Sequence, residues 1–146
     1  MIITLLKSAL ASAGCTLVIY ESDKLANLLT DQSHSDDIIG LIIQPNDLTL
    51  EVKANAIIEH YPPVIIEILK QVRLEDSAET NEATLAALLI ICKKLILYLI
   101  DSGDYKKITP FKVTKILETR YDANCLGWSM PLDLFYLFNE NKDPCL

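Results

Sequence analysis

The chain is poor in the residues that break regular structure, with 4 glycines and 6 prolines among 146 residues. This scarcity excludes collagen-like and low-complexity chains, and a hydrophobic content of 51% excludes intrinsic disorder. Basic residues are also scarce, because 13 Lys and Arg face 20 Asp and Glu for a net charge of −7. A protein that held nucleic acid by neutralising phosphates would show the opposite balance. The length predicts a single domain over 1–138 with a core that needs neither metal nor disulfides.

The four cysteines do not form a metal-binding or disulfide pattern. Cys15, Cys92, Cys125 and Cys145 contain no CxxC pair and no histidine at ligand spacing. We therefore expect reduced thiols in a cytoplasm-like compartment, with no zinc and no other metal or cofactor. Cys92 lies in an apolar helical run, which favours a small core residue.

Two apolar segments raise the question of a membrane, since the mean hydropathy of +0.27 is high for a small domain. The N-terminal run ends in Ser-Ala-Gly-Cys, which loosely resembles a lipoprotein cleavage site, but Lys7 lies inside the run instead of ahead of it. We therefore predict an amphipathic helix there. The segment 83–100 approaches the length of a membrane span, yet Lys93 and Lys94 lie within it. This pattern favours a core or interface helix.

Hydrophobic periodicity predicts one helix and several strands in the first half of the chain. Apolar residues recur three and four apart from Ile2 to Ala13, and Gly14 marks the end of this helix. The segment 38–44 is almost wholly apolar and 48–55 alternates, so the Pro-Asn-Asp turn between them predicts an antiparallel hairpin. The remaining predictions are a short strand over 15–20, a helical turn over 24–29 and an exposed loop over 31–37.

The second half predicts an extended segment, one long helix and a closing hairpin. Pro62 and Pro63 must kink or break strand pairing, and 64–72 continues extended with Glu67 on its polar face. A helix over 77–102 precedes two strands over 111–120 and 126–138, and the tail 139–146 is predicted to be loose. The fold class is therefore α+β, with an antiparallel sheet of four to five strands, the long helix packed across it and a short N-terminal helix.

The long helix is apolar on more than one side, which predicts that more than one side is covered. A main stripe faces the sheet, and further apolar side chains lie off that stripe. In a domain this small the second cover is another subunit. The predicted interface residues are Ile90, Ile91, Leu97 and Ile100.

Carboxylates cluster at the start of this helix with no basic residue among them: Glu75, Asp76, Glu79 and Glu82. The first interpretation is helix N-terminal chemistry, with Asp76 as the N-cap, Glu79 three residues on and all four charges favoured by the helix dipole. Trp128, after Gly127 at a strand start, is predicted to be a core residue instead of a ligand platform.

No catalytic constellation can be assembled from the sequence. There are only two histidines: His34 lies in a polar segment, which predicts a solvated ring, and His60 follows Glu59. Neighbours in an extended chain point to opposite faces, which disfavours a Glu59–His60 general base. A Gly-x-Ser-x-Gly elbow and a phosphate-binding glycine loop are both absent from the sequence. We predict that the protein is not an enzyme.

The order of elements, and above all the closing stretch, resembles a known family. That stretch reads Phe111-Lys112-Val113, then Arg120-Tyr121-Asp122-Ala123-Asn124, then Gly127-Trp128 and Leu132-Asp133-Leu134. It is similar to tail-completion and tail-terminator proteins of tailed bacteriophages, small ring-forming proteins between the DNA-filled head and the tail. More faintly, 46–74 resembles neck-ring proteins of crAss-like phages. The resemblance spans 2–138.

The resemblance implies a structural virion protein of the neck, assembled in the host cytoplasm as a homo-oligomeric ring of six or twelve copies. The ring would stack on portal, connector or tail-tube ring proteins and let DNA pass without binding it. Under this hypothesis Glu75, Asp76, Glu79 and Glu82 line the lumen and repel phosphates. Two alternatives stay open: a small cytoplasmic oligomeric protein-binding module not of phage origin, and an enzyme with an intersubunit site that uses Glu59 and His60.

Overall fold

The computed structural model describes residues 2–20, 36–43, 49–54, 56–73, 75–102, 112–120 and 123–137. Within these ranges the fold is α+β, as predicted. The elements in chain order are α1 (Ile2–Ala13), β1 (Leu17–Ile19), β2 (Ile39–Ile43), β3 (Thr49–Lys53), β4 (Ala56–Gln71), α2 (Ala78–Asp101), β5 (Thr114–Arg120) and β6 (Ala123–Leu137). The predictions for 24–29, for most of the loop 31–37, for the Pro45-Asn46-Asp47 turn and for the tail 139–146 lie outside the described residues.

The strands form one sheet in the order β1-β2-β4-β6-β5, and β3 pairs with β4 beside this path. The path of the sheet has five described strands, in agreement with the predicted four to five, and β3 adds a sixth strand beside it. All pairs are antiparallel except β1 with β2, which is parallel. The long β4–β6 ladder is the centre of the sheet, so the two halves of the chain meet there.

The predicted hairpin between 38–44 and 48–55 is wrong. Strand β3 pairs with β4, from Thr49 opposite His60 to Lys53 opposite Ala56, and Ala54 in the turn has a positive φ of 49°. Strand β2 instead lies between β1 and the second half of β4. The reason is burial. The side chains of β2 are apolar on both faces of the sheet and almost all are buried, so β2 takes an inner position between two other strands. Strand β3 is not buried in this way, since Val52 stays 74% exposed.

Strand β4 passes through Pro62 and Pro63 with a change of partners. Its pairing with β6 shifts register between Tyr61 and Val64, where two residues of β4, Pro62 and Pro63, oppose the single residue Asp133 of β6. On its other edge, β4 pairs with β3 before the prolines and with β2 after them. The predicted interruption is confirmed, because two residues without an amide hydrogen occupy the place where a ladder is broken anyway.

The main core lies between the sheet and the two helices. Helices α1 and α2 pack on the face of the sheet that carries Val64, Ile66 and Ile68 of β4. The opposite face is also buried and holds a second cluster of Ile19, Ile39, Leu41, Leu69, Ile116 and Cys125. Glu67 on this second face is only 3% exposed. The polar face predicted for 64–72 is therefore wrong at Glu67.

Helix α1 ends as predicted at Gly14, through paired backbone hydrogen bonds. The amide of Gly14 donates to the carbonyl of Ala11 at 3.2 Å, and that of Cys15 donates to Leu10 at 3.0 Å. This is a Schellman motif, and the φ of +121° at Gly14 is a conformation that other residues rarely adopt. The sharp stop turns the chain directly into β1.

Three cysteines, Cys15, Cys92 and Cys125, are buried and form no disulfide with one another, and Cys92 is in the core as predicted. Burial raises the pKa of Cys15 from 9.0 to about 12, and the nearby Cys92 adds to this increase. Burial likewise raises the pKa of Cys92 to about 11. Both thiols therefore stay protonated at neutral pH and are poor nucleophiles.

Candidate assembly surface

The N-cap of helix α2 lies one residue after the predicted cap, Asp76. Ser77 is the N-cap, and its hydroxyl oxygen accepts a hydrogen bond from the amide of Thr80 at 3.1 Å. The carboxylate of Asp76 instead accepts from the amide of Arg73 at 3.0 Å, while the Asp76 amide donates to the Arg73 carbonyl at 3.1 Å. The prediction of Asp76 as the cap is wrong, because this carboxylate closes the preceding turn.

One side of α2 belongs to the main core. Its buried residues are Leu85, Leu88, Ile91, Cys92, Leu95 and Leu99. The indole Nε1 of Trp128 donates to the carbonyl oxygen of Leu85 at 2.9 Å, so a side chain of β6 fastens the helix to the sheet. Among the described residues, α2 is the one helix whose length and apolar composition would suffice to cross a membrane, a test that core helices also pass.

The structure corrects the interface prediction at Ile91. Its side chain is only 7% exposed and belongs to the main core. The end of α1 covers it: a Cβ placed on Gly14 would lie 3.6 Å from Ile91 Cγ1. Helices α1 and α2 pack against each other here. The buried side of α2 therefore includes residues that contact α1 as well as those that contact the sheet. Ile91 is not available to another subunit.

Ile90 and Leu97 are exposed, as an interface requires. They lie seven residues apart, two turns along one side of α2, and Leu97 is 59% exposed. Tyr98 beside them is exposed as well. Ile100 is half-buried and packs at the margin of the main core. Of the four predicted interface residues, two therefore present most of their surface to solvent and one presents part of it.

The exposed side of α2, which we call the α2 outer face, carries charges of both signs. Its first half holds acidic residues, its middle holds alanines, and its second half holds two lysines, two bulky apolar residues and one acid. All of its members are exposed: Glu79, Glu82, Ala83, Ala86, Ala87, Ile90, Lys93, Lys94, Leu97 and Asp101. Asp101 belongs to this face because it lies four residues after Leu97 and seven after Lys94.

A second apolar surface lies on the hairpin formed by β3 and the start of β4. Leu50, Val52 and Ile57 are exposed there, and Val52 pairs directly with Ile57. Because side chains alternate along a strand, Leu50 and Val52 project from the same side of β3. We call these three residues the hairpin face. Among the described residues, exposed apolar side chains thus gather on α2 and on the hairpin of β3 with β4.

The predicted lumen residues sit at and before the start of α2. Glu75, Glu79 and Glu82 are exposed, and Asp76 is half-buried because it bonds to Arg73. Nothing in the described chain neutralises Glu79 or Glu82 from within the helix, since no basic residue lies three or four positions from either. Their role at a lumen stays a prediction.

The structure describes only part of the candidate catalytic pair, Glu59 and His60. Glu59 of β4 is half-buried and lies opposite Leu50 on β3 and Tyr136 on β6. The backbone of His60 pairs with Thr49 and Phe135, whereas the His60 side chain and all of His34 lie outside what the structure describes. In the described ranges, no three His, Cys, Asp or Glu residues gather in a way that could hold a metal ion.

Sequence reasoning missed the α2 outer face as a patterned surface, although its signal is present. Glu79 and Glu82 precede Ala83 and Ala86 at helical spacing, and Lys93 and Lys94 follow. The pattern can be recognised only when Ile91 is assigned to the buried side of the helix.

Comparison with protein-family models and with curated proteins finds no match to this chain.

Proposed function

We propose that this protein is a structural, self-assembling component that forms a homo-oligomeric ring in the neck or tail of a tailed bacteriophage. The observation that carries the proposal is that, within the described residues, apolar side chains stay exposed on α2 and on the hairpin beside an already buried core. Exposed apolar side chains gathered in patches mark sites of protein contact. A ring subunit needs two such surfaces, because each copy meets two neighbours.

The energetics favour association through these surfaces. Burying a Leu or Ile side chain completely contributes about 1.5–3 kcal/mol, and Ile90 and Leu97 each still present about half of their surface. The hairpin face adds Leu50, Val52 and Ile57, which are also exposed. Several such contacts per interface, repeated around a closed ring, are enough to offset part of the entropy lost on association.

The acidic balance supports a passage for DNA that does not bind it. The net charge is −7, and Glu75, Glu79 and Glu82 are exposed at one end of α2. Carboxylates around a channel repel phosphates and raise the barrier to non-specific adhesion. The phage assignment itself rests on the resemblance of the closing stretch around Gly127 and Trp128, and portal or tail-tube genes beside this one would support it directly.

The test is imaging of the purified protein by negative-stain electron microscopy, with its mass measured by light scattering. We expect rings with a central hole for the unmodified chain and loss of rings for Ile90→Ser combined with Leu97→Ser. Leu117→Ser is the matched control, since Leu117 on β5 is 58% exposed and lies on another surface. Compact dimers without a hole would favour the protein-binding module that is not of phage origin. A monomer under all conditions, unchanged by the double variant, would contradict the proposal.

A further inference from the structure

The sheet continues past Pro62 and Pro63 as an extension of three strands. Strand β3, the start of β4 and the end of β6 lie side by side there. Strand β2 pairs with β4 only from Ile65 onwards, and β5 pairs with β6 only as far as Ser129. The extension therefore has two open edges on opposite sides: among the strands that the structure describes, none pairs with the outer side of β3 or with that of β6 over 130–137.

The outer edge of β3 offers two residues for hydrogen bonding. Strand β3 turns into β4 through two residues, so Lys53 and Ala56 on either side of the turn form a hydrogen-bonded pair. Bonded and non-bonded pairs alternate along an antiparallel ladder. Leu50 and Val52 therefore direct their N–H and C=O groups away from β4, and their side chains are exposed as well.

The outer edge of β6 offers a matching set of groups. By the same alternation, Ile58 of β4 bonds to β3, so the next residue, Glu59, bonds to β6. Glu59 lies opposite Tyr136, which therefore directs its N–H and C=O groups at β4. Every second residue from 133 to 137 consequently directs these groups outwards.

We infer that β3 of one copy pairs in parallel with residues 133–137 of β6 in the next copy, so that the sheet continues from subunit to subunit. Both strands are antiparallel to β4 and hence parallel to each other, and rotation about an axis along the strands keeps their direction. In a parallel ladder, a residue that points at its neighbour bonds to the two residues flanking the one opposite. With Leu50 opposite Leu134 and Val52 opposite Tyr136, all four outward groups of β3 obtain partners.

The alternation of residues along the strands favours this register. Residues paired directly across a ladder share a face of the sheet, and Glu59 lies opposite Leu50 on one side and Tyr136 on the other. The apolar positions of β3 and β6 thus lie beside each other across the contact. A shift by one residue would place the charged Glu51 on the apolar side and misalign the hydrogen-bonding groups.

The height of the two strands also favours this contact over one with β5, the remaining long edge. Strand β3 is level with Ile58 of β4, whereas the middle of β5 is level with Leu69, eleven residues or about 36 Å further along. Pairing of β3 with β5 would displace each copy by that distance and produce a filament. Pairing with 133–137 displaces it by two residues, about 7 Å, and closing a sheet requires a stagger of this kind.

This inference deepens the proposed function, because it rests on self-assembly and names the two surfaces that meet. The contact joins two different edges and is therefore heterologous, and such contacts close into a ring when the rotation per copy fits. The two ends of that ring differ, as a ring between unlike neighbours requires. Closure also removes from every copy two open strand edges that favour aggregation.

The first experiment removes one outward amide. Val52→Pro eliminates the N–H that points to the next copy and leaves the bonds of Glu51 and Lys53 to β4 in place. We expect association, measured by light scattering, to weaken at least about tenfold. Leu117→Pro is the matched control, because Leu117 is an exposed apolar residue whose amide points outwards from β5, and association should not change. Melting temperatures show whether each variant folds.

The second experiment cross-links the two edges and does not depend on the folding of a proline variant. In a background of Cys145→Ser, we combine Val52→Cys with Tyr136→Cys. Strand β4 separates these positions within one chain, so a disulfide can form only between copies. Under mild oxidation we expect a ladder of covalent multimers up to the size of the ring, and no cross-linking for either single variant.

The outcomes distinguish this inference from the proposal beneath it. The ladder of multimers, together with weakened association of Val52→Pro, would establish the pairing. Full assembly of Val52→Pro would overturn it while self-assembly stands, and so would cross-linking through Val52→Cys alone, which indicates two-fold pairing of β3 with itself. Equal weakening by Leu117→Pro would overturn the choice of the β6 edge. An unmodified chain that stays monomeric would overturn both proposals.

Discussion

Replacement of Gly127 by alanine tests how closely the two central strands approach each other. A Cβ built on Gly127 overlaps the carbonyl oxygen of Ile68, lies 2.9 Å from the carbonyl carbon and lies 3.0 Å from Leu69 Cδ2. The first two atoms are backbone atoms in the middle of the β4–β6 ladder. Rotation of a side chain cannot relieve the clash, so the two strands have to move apart.

The cost of this change is large for the addition of one methyl group. Overpacking of a core costs about 1–3 kcal/mol where side chains can adjust. Here the ladder itself must open, so we expect Gly127→Ala to lower the free energy of unfolding by more than about 3 kcal/mol. The smaller entropy of the unfolded alanine chain offsets only about 0.4–1 kcal/mol of this loss.

The assay is urea unfolding followed by the fluorescence of Trp128, the one tryptophan of the chain. The matched control is Gly40→Ala, whose Cβ would meet only the ends of side chains, Cys15 Sγ at 3.1 Å and Leu10 Cδ1 at 3.1 Å. Because those atoms can shift, we expect the control to lose about 1–2 kcal/mol. Equal losses for the two variants, or a loss below about 1 kcal/mol for Gly127→Ala, would refute the close approach.

Two further predictions concern hydrogen bonding and ionisation. Trp128→Phe removes the Nε1 bond to the Leu85 carbonyl and replaces the indole, which packs on the main core, with a smaller ring. It should therefore lower the free energy of unfolding by about 1–3 kcal/mol in thermal unfolding, and no change would mean that neither the bond nor the ring contributes. Because burial raises the thiol pKa values of Cys15 and Cys92 above 9.0, their contribution to stability is complete below pH 9 and declines as the pH rises towards 11 and 12. The free energy of unfolding should then fall by up to about 1.4 kcal/mol per pH unit for each thiol. The double variant Cys15→Ala with Cys92→Ala should show a smaller measured slope of the free energy of unfolding against pH.

Local patterns predicted most elements of this fold, and pairing is where they failed. The period of apolar residues predicts α1, α2 and the closing hairpin, and these elements depend mainly on neighbours in sequence. The partner of β3 does not, because it depends on where β2 finds cover. The apolar run of β2 signals burial on both faces, which a hairpin with the exposed β3 cannot provide.

The errors at Ile91 and Glu67 have a common cause. Each was assigned from the periodicity of its own element, and each is buried by another element that the local pattern does not encode. The end of α1 covers Ile91, and the second face of the sheet is apolar around Glu67. Ile90 and Leu97, which face away from these contacts, are exposed, and their role at an interface stays a prediction.

The β4–β6 ladder also governs when this chain can fold. Residues paired across it are about 50 to 80 positions apart in sequence, and α2 lies between them. Contacts this distant require closure of a long loop before they contribute, so folding is slower than in proteins with local contacts. During synthesis, β4 emerges from the ribosome before its partner β6, because α2 and β5 are translated between them. The nascent chain therefore exposes an apolar strand until β6 has been made, an interval in which chaperones would protect it from aggregation.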